Sequence, residues 1–153
     1  MDTLTQDQCQ ALLEQAHVAH IGVITEEGPY VTPISYVFLG NKLAFRTAPG
    51  RRTEALEIDR RVSVEVSTYD PDTGDWSSVI VTGTAAVIRN DAAKEGVVVD
   101  ALFEKYRDAF KNLLSSPPGN EPITRFIVVI DVHEMSGRRS GGYVTAKTRP
   151  GRL

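Results

Sequence analysis

Two runs of β-forming residues joined by a tight-turn signal constrain this chain more than any other feature. Residues 29–39 are rich in aromatic and β-branched side chains, which suit a pleated and half-buried strand. Gly40 and Asn41 come next, and both tolerate positive φ, so they predict a two-residue turn. Residues 42–47 then return as a second strand. The sequence therefore predicts a β-hairpin over this part of the chain.

The rest of the chain supplies more strands at short spacing. Further strand-forming runs lie at 17–25, 61–69, 76–88 and 125–132. Hairpin-linked strands of this kind favour an antiparallel barrel over a parallel βαβ sheet. Gly83, inside the longest run, predicts a β-bulge or a close approach of two backbones. We therefore expect a mainly β domain of the α+β class, with about six strands and two or three helices.

Two helices have defined starts in the sequence. Thr5 and Gln8 have the spacing of a capping box, which predicts a helix over residues 5–16. Asn90 or Asp91 is expected to cap a second helix beyond the longest strand.

The C-terminal part of the chain is expected to contain irregular segments. Prolines stop any helix within residues 115–122, so this segment is predicted to be a loop. Residues 136–142 are predicted to be flexible and basic, and the tail from about residue 141 is expected to be loosely ordered.

Length and composition restrict the classes of protein to which the chain can belong. With 153 residues, 41% of them hydrophobic, a single domain spanning 1–153 is expected. The net charge of −3 argues against a general nucleic-acid binder, and no apolar run approaches the roughly 20 residues that span a bilayer. The single cysteine, Cys9, excludes an internal disulfide and is expected to be a packing residue. The polar, acidic N-terminus differs from a signal peptide, so a cytoplasmic location is expected.

Motifs of self-sufficient catalysis are absent from the sequence. It contains no G-x-S-x-G elbow, no G-x-G-x-x-G after a strand and no phosphate-binding G-x-x-x-x-G-K-[ST] loop. His17 and His20 lie three residues apart in a predicted strand, so their side chains are expected to point to opposite faces. They and His133 predict no metal site. The catalytic residues are therefore left unassigned.

The strongest functional signal lies where the hairpin ends and a helix begins. A break ending at Gly50 is followed by a helical run that opens with Arg51, Arg52 and Thr53. A helix N-terminus offers unpaired N–H groups and a partial positive charge, and arginine can hold a phosphate bidentately. With the Thr47 hydroxyl close by, the junction predicts a phosphate site. The alternative is that both arginines are solvated charges at a helix start capped by Thr53.

The hairpin and the segments after it resemble the pyridoxamine 5'-phosphate oxidase-like family, the FMN-binding split barrels. The resemblance covers residues 5–140 and rests on the order and spacing of several segments rather than on one specific motif. The segments that carry it most clearly are Val31-Thr32-Pro33-Ile34-Ser35-Tyr36, Phe45-Arg46-Thr47, Gly50-Arg51-Arg52-Thr53 and residues 76–85.

The resemblance implies a fold and a phosphate site. The implied fold is an antiparallel six-stranded split barrel with flanking helices, which forms a homodimer with FMN at the interface. The implied phosphate ligands are Arg52, Thr47 and Thr53, helped by Arg46 and Arg51.

The resemblance also implies how the flavin ring is held. The ring edge would lie along the backbone of residues 32–36. Ser78 would contact the ring bound by the partner subunit, while Trp76 would either stack near that ring or simply anchor the interface. The full set of implied cofactor residues is Thr32, Pro33, Ile34, Ser35, Tyr36, Arg46, Thr47, Arg51, Arg52, Thr53, Trp76 and Ser78.

The substrate is less defined than the cofactor. Pyridoxamine phosphate oxidases carry an Arg-x-His pattern near the C-terminus, and residues 135–142 lack it, so the chain is more similar to the branch that includes nitroimidazole-resistance reductases. Relatives in other branches use a deazaflavin coenzyme or haem. The leading hypothesis is an FMN-dependent oxidoreductase acting on a small planar substrate. The alternatives are a flavin or deazaflavin carrier or sensor without turnover, and a β-barrel interaction module without a cofactor.

Overall fold

A computed structural model describes residues 1–108 and 126–140 of the chain. The described part contains eight strands and three helices. In chain order they are β1 (Asp2–Thr3), α1 (Gln6–Gln15), β2 (Ala19–Thr25), β3 (Gly28–Ile34), β4 (Val37–Leu39), β5 (Lys42–Thr47), α2 (Arg51–Ile58), β6 (Arg61–Tyr69), β7 (Trp76–Ile88), α3 (Ala92–Lys105) and β8 (Phe126–Arg139).

One sheet contains all eight strands, and every pairing in it is antiparallel. The strand order is β3-β2-β6-β7-β8-β5-β4, and β1 pairs with β8 beside this path. The path is open between β3 and β4, although only Ser35 and Tyr36 separate these strands along the chain. The predicted mainly antiparallel β fold with flanking helices is confirmed. Two short strands, β1 and β4, raise the strand number from the expected six to eight.

Two segments differ from the predicted boundaries. The predicted strand 29–39 is interrupted after Ile34 and resumes at Val37, because the chain passes there from pairing with β2 to pairing with β5. At the gap the Tyr36 N–H donates to the hydroxyl of Tyr106, which follows α3. Residues 136–142 were predicted to be flexible, but β8 continues to Arg139. Its last residues pair with β7 on one side and with β1 on the other. These backbone hydrogen bonds outweigh the local preference of the glycine and serine for irregular structure.

The local signals of the hairpin and of the first helix are confirmed. Gly40 has a φ of 63°, and the two-residue turn places Leu39 opposite Lys42. Before α1, the Gln8 N–H donates to Thr5 Oγ1 at 3.2 Å, and the Thr5 N–H donates to Gln8 Oε1 at 2.9 Å. This reciprocal pair satisfies two of the N–H groups that a helix start leaves unpaired.

Cys9 is a packing residue, as the sequence predicted. Its side chain is fully buried on α1, and burial raises the pKa of the thiol. It faces Gly137 of β8, where an added Cβ would lie 2.6 Å from the Cys9 sulfur. The missing side chain at Gly137 therefore lets α1 pack directly on β8.

The hydrophobic core has two parts. The larger part lines the concave side of the sheet, and burial of each large side chain there contributes about 1.5–3 kcal/mol. Its largest fully buried members are Tyr36, Phe45, Leu13, Ile21, Leu43 and Leu56. The smaller part lies under α3 and holds that helix against β4, β5 and β8. It consists of Val37, Ala44, Val98, Leu102 and Ile127.

Some predictions fall outside the described residues. These are the loop at 115–122 and the loosely ordered tail from about residue 141. Within residues 1–108 and 126–140, the helices are too short or too polar to cross a membrane.

Gly83 marks the bulge that the sequence predicted. The register between β7 and β8 shifts between Thr82 and Gly83. A Cβ at position 83 would lie 2.1 Å from the carbonyl oxygen of Asp131, which is far inside van der Waals contact. The two longest strands can therefore pair through this point only because residue 83 has no side chain.

We expect Gly83→Ala to destabilise the protein by about 2 kcal/mol or more, because the methyl group would force the two strands apart. The measurement is the free energy of unfolding in urea. Gly96→Ala on α3 is the matched control, since an added Cβ there meets nothing within 4 Å. Alanine favours the helix, so the control should gain roughly 0.5–1 kcal/mol. Equal stabilities for the two variants would contradict the close approach.

Candidate functional site

The candidate site begins at the start of α2. Gly50 is the N-cap, and Thr53 is the third residue of the helix rather than its cap, which corrects the alternative considered from the sequence. The Gly50 N–H donates to Thr53 Oγ1 at 2.9 Å, and the Thr53 hydroxyl donates to the Gly50 carbonyl at 2.8 Å. The Thr53 side chain is only 3% exposed. Its hydroxyl therefore shapes the turn, and the hydroxyl proton is already used.

Arg52 joins three elements of the fold. Its Nη1 donates to Thr32 Oγ1 on β3 at 2.5 Å, and its Nη2 donates to Thr47 Oγ1 on β5 at 2.9 Å. The guanidinium carbon lies 5.2 Å from the centroid of the Phe45 ring, within cation–π range. The structure thus brings together three of the predicted phosphate and ring residues, Thr32, Thr47 and Arg52.

The charge of Arg52 has no carboxylate partner within the described residues. Its side-chain hydrogen bonds go to neutral hydroxyls, and its Nε is buried without an acceptor. Burial lowers the pKa of the guanidinium, and the nearby Tyr30 offsets part of that effect. Arginine nevertheless stays protonated in proteins. The site therefore holds a half-buried cation with an unused donor, which suits a bound anion.

The other two arginines implied by the resemblance are placed differently. Arg51 donates to Glu27 at 2.8 Å, and its guanidinium lies 4.5 Å from the Tyr30 ring centroid. Arg46 lies 3.8 Å from Glu95 of α3. Because side chains alternate along a strand, Arg46 points away from the face that presents Thr47. The structure therefore does not bring Arg46 to Arg52.

The segment implied for ring contact is the end of β3 and the gap that follows it. Thr32 and the buried Ile34 face the concave side, while Pro33 and Ser35 are exposed. Tyr36 is fully buried, and its hydroxyl donates to the Leu13 carbonyl at 2.6 Å. A ligand can therefore reach the exposed Pro33 and Ser35.

Trp76 and Ser78 lie far along the sheet from Arg52. Trp76 starts β7, whereas Thr47 pairs with Phe126 at the level of the other end of that strand. Ser78 donates to Glu65 Oε1 at 3.2 Å, and Trp76 is 36% exposed. The structure therefore does not bring either residue to the Arg52 site of the same chain.

The histidines support no metal site within the described residues, where no group of three or more potential ligands occurs. His17 precedes β2 and stacks edge-on against Tyr106 at 5.5 Å between ring centroids. The Nδ1 of His20 lies 3.5 Å from Glu65 Oε2 on the neighbouring strand.

Lys105, the last residue of α3, and Tyr106 directly after it belong to no functional motif of the sequence, yet they reach the ring-contact segment. Lys105 Nζ lies 3.9 Å from the centroid of the Tyr36 ring and has no hydrogen-bond partner within the described residues. Desolvation lowers its pKa to about 8. Tyr106 hydrogen-bonds to the backbone of Tyr36, which lies 70 residues earlier. No local pattern could have predicted contacts over such a separation.

Comparison with known proteins defines the family. The family model described as pyridoxamine 5'-phosphate oxidase matches residues 5–139, so the chain belongs to this family. An uncharacterized protein of Rhizobium meliloti is 26% identical over 80 residues. That match spans 52% of each of the two chains, so the chain covers about half the length of this curated relative.

Solved structures share the fold over nearly the whole chain. A FAD-binding protein from Mesorhizobium loti is similar with a TM-score of 0.73 and 22% identity, covering 92% of this chain and 98% of its own. A proposed 5-nitroimidazole antibiotic resistance protein from Bacteroides thetaiotaomicron is similar with a TM-score of 0.69 and 17% identity. The match covers 90% of this chain and 86% of the Bacteroides protein. At these identities the likeness establishes the split-barrel fold.

We expect Lys105 to give the protein a distinct pH dependence of stability. The pKa is about 8 in the folded chain and 10.5 ordinarily, so the unfolded chain binds more protons between these values. The free energy of unfolding should therefore rise between about pH 8 and 10. Above about pH 10 the raised pKa values of Tyr36 and Tyr106 lower the free energy of unfolding, because the folded chain keeps tyrosine protons that the unfolded chain loses.

The test compares the wild type with Lys105→Met by urea unfolding from pH 7 to 10. The methionine variant should lack this rise and should be the more stable protein at pH 7. Lys94→Met is the control, because this lysine lies on the same helix with 64% of its side chain exposed. A rise that persists in Lys105→Met would contradict the assignment.

Proposed function

We propose that the chain binds FMN and is an oxidoreductase acting on a small planar substrate. The observation that carries this proposal is Arg52, a half-buried guanidinium that bonds two threonine hydroxyls and keeps a buried Nε without an acceptor. A buried charged donor without an acceptor is costly, by about 1–3 kcal/mol or more. A phosphate against the guanidinium would supply the anionic partner that this charge lacks among the described residues.

The surroundings of Arg52 fit the phosphate end of a flavin nucleotide. The start of α2 adds the positive end of a helix dipole and its unpaired N–H groups. Thr47 and Thr32 supply hydroxyls at the same point. Thr53 is proposed to act by holding the Gly50 turn in shape rather than through its hydroxyl.

The ring-contact segment fits a planar ligand with donors and acceptors on its edge. β3 ends the strand path, and no strand of the described residues pairs with its outer edge. Backbone N–H and C=O groups along this edge are therefore free to bind a ligand. Pro33 and Ser35 are exposed beside them.

The charges next to the site favour FMN over longer flavins. A cavity of about 440 Å³ beside Arg51 is lined by four carboxylates, Glu26, Glu27, Glu54 and Asp59. Arg51 is already paired with Glu27. Further anionic groups would be repelled there, which disfavours FAD and the acidic tail of a deazaflavin coenzyme. FAD nevertheless stays the second candidate, because the similar protein from Mesorhizobium loti is described as FAD-binding.

We further propose that the protein is a homodimer built on the convex face of the sheet. Across β3, β2, β6 and β7 the register aligns Val31 with Gly22, Ser63 and Thr82. The next row places Ile80 beside Glu65. Val31, Ile80 and Ile24 on this face are 62%, 47% and 40% exposed, and a hollow of about 780 Å³ lies among the strands. Exposed apolar side chains in one surface are typical of an interface.

A dimer on this face would explain why Trp76 and Ser78 lie far from the Arg52 site of their own chain. Each could then reach the cofactor bound to the partner subunit. The Ser78 hydroxyl already donates to Glu65, so its oxygen remains able to accept a hydrogen bond. The small-molecule substrate and the cytoplasmic location stay predictions.

FMN supplies electron and hydride transfer when it is bound. The residues of this chain then need only to bind the flavin, orient it and exclude water from it. Arg52, Thr32 and Thr47 hold the phosphate, and the edge of β3 orients the ring. No acid–base pair is assigned among the described side chains.

A carrier or sensor that binds flavin without turnover is the alternative. The visible absorption spectrum of the purified protein, with mass identification of the released cofactor, tests binding first. Reduction of the bound flavin by NADPH or NADH, followed by reoxidation with a nitro or quinone acceptor, supports the oxidoreductase. A protein that takes up neither FMN nor FAD would overturn the proposal.

We expect Arg52→Ala to weaken FMN binding by about a hundredfold or more, because hydrogen bonds to charged groups contribute roughly 1.5–3 kcal/mol each. The variant should keep its circular dichroism spectrum, since the lost contacts are to two hydroxyls. Arg89→Ala is the control, because Arg89 lies on the surface and pairs with Glu57. Full flavin occupancy in Arg52→Ala would show that the phosphate lies elsewhere.

We expect Ile80→Lys to turn the dimer into a monomer, because the interface would have to bury an ammonium group. The neighbouring Glu65 can pair with this lysine, so the monomer should fold. Light scattering after size exclusion measures the mass. Val97→Lys is the control, since Val97 is 62% exposed on α3, away from the convex face. A dimeric Ile80→Lys protein would exclude this face as the interface.

A further inference from the structure

The hydroxyl group of Tyr106 hydrogen-bonds to several backbone groups from earlier parts of the chain. Its hydroxyl donates to the His17 carbonyl at 2.6 Å and lies 3.1 Å from the Tyr36 carbonyl. The same oxygen accepts the Tyr36 N–H at 3.0 Å. A hydrogen bond from the Ser35 side chain also lowers the pKa of Tyr106, against the larger rise caused by burial.

Apart from the bond to His17, these contacts fall on the Ser35–Tyr36 gap, the two residues that separate β3 from β4. Strand pairing stops at Ile34, which lies opposite Ala19, and resumes at Val37, which lies opposite Ala44. The backbone of the gap therefore has no strand partner. Tyr106 supplies the missing hydrogen bonds from the end of α3.

The Tyr36 side chain is held from two sides. Its hydroxyl donates to the Leu13 carbonyl at the end of α1, and Lys105 Nζ lies 3.9 Å from the centre of its ring. The ring is therefore fixed between α1 and α3. The main chain of the gap depends on Tyr106 alone among these contacts, since the others act on the side chain.

We infer that Tyr106 is a positioning residue for the flavin ring, acting through Ser35 and Tyr36. This inference rests on the proposed function, because the gap is the end of the proposed ring-contact segment. Tyr106 occupies the polar backbone groups of Tyr36 and so fixes the path of the main chain, which sets the direction of the neighbouring β3 backbone groups that would face the ring edge. It lies outside the group formed by Arg52, Thr32 and Thr47, so it acts on the ring and not on the phosphate.

A pair of ligands separates these two effects. FMN and riboflavin share the ring and differ in the phosphate. Removal of a ring-positioning group should weaken both ligands by the same factor, whereas removal of a phosphate ligand should weaken FMN alone. The ratio of the two dissociation constants therefore reports which end of the ligand a residue serves.

The variant is Tyr106→Phe, which keeps the ring against His17 and removes only the hydroxyl. We expect FMN and riboflavin each to bind about threefold to tenfold more weakly, with their ratio unchanged, as befits the loss of one or two neutral hydrogen bonds. The absorption bands of bound FMN should shift toward those of free FMN. Tyr69→Phe is the control, since Tyr69 is 69% exposed. Arg52→Ala provides the opposite pattern, in which the ratio collapses.

The outcomes are distinct for the two proposals. If the wild type binds neither ligand, the proposed function fails and this inference fails with it. If the wild type binds FMN and Tyr106→Phe matches it in affinity and spectrum, the positioning role is overturned while flavin binding stands. A loss confined to FMN would move Tyr106 to the phosphate end and would also overturn the inference.

A measurement on the flavin-free protein distinguishes the loss of one local contact from a general loss of stability. Hydrogen exchange at the Tyr36 amide should become faster in Tyr106→Phe, because that N–H loses its acceptor. Exchange at the Cys9 amide, which donates to the Thr5 carbonyl within α1, should not change. Faster exchange at both amides would indicate general destabilisation and would remove the support for a positioning role.

Discussion

The backbone ladder of β8 is the interaction on which the rest of the structure depends. This strand pairs with β7 over most of its length, with β5 from Lys42 to Thr47 and with β1 at its end. Because β5 is held by β8, the Thr47 hydroxyl lies where Arg52 can reach it. The candidate site therefore depends on strand pairing with β8, and the pairing of β8 with β7 requires the close approach at Gly83.

The parts of the fold that the sequence predicted are those with local causes. The capping box at Thr5 and the turn at Gly40 each depend on the residue itself and its near neighbours. The bulge at Gly83 involves the distant Asp131, but the missing side chain that permits it is visible in the sequence. The length of β8 was missed because its last residues, including Gly137, are held in the strand by partners far away in the chain. Local preference could not reveal those partners.

The contacts of the candidate site also divide into those with local causes and those that depend on distant parts of the chain. Thr47 and Arg52 are five residues apart on either side of one turn, so their meeting could be predicted. Arg46 is next to Thr47 in sequence, yet strand alternation turns it toward Glu95. Tyr106 meets Tyr36 only because α3 packs across β4 and β5. Such contacts depend on the three-dimensional packing of distant elements, which local sequence patterns do not specify.

The position of β8 in the chain has a consequence for how the protein is made. The strand begins at residue 126, so β5 and β7 leave the ribosome before the strand that pairs with both of them. Until then each presents an edge of unpaired backbone groups, which are able to pair with other chains. The contact between Asp2 and Arg139 also joins residues near opposite ends of the described chain. Folding of the sheet should therefore be slow and should wait for the synthesis of β8, as expected for a sheet of high contact order.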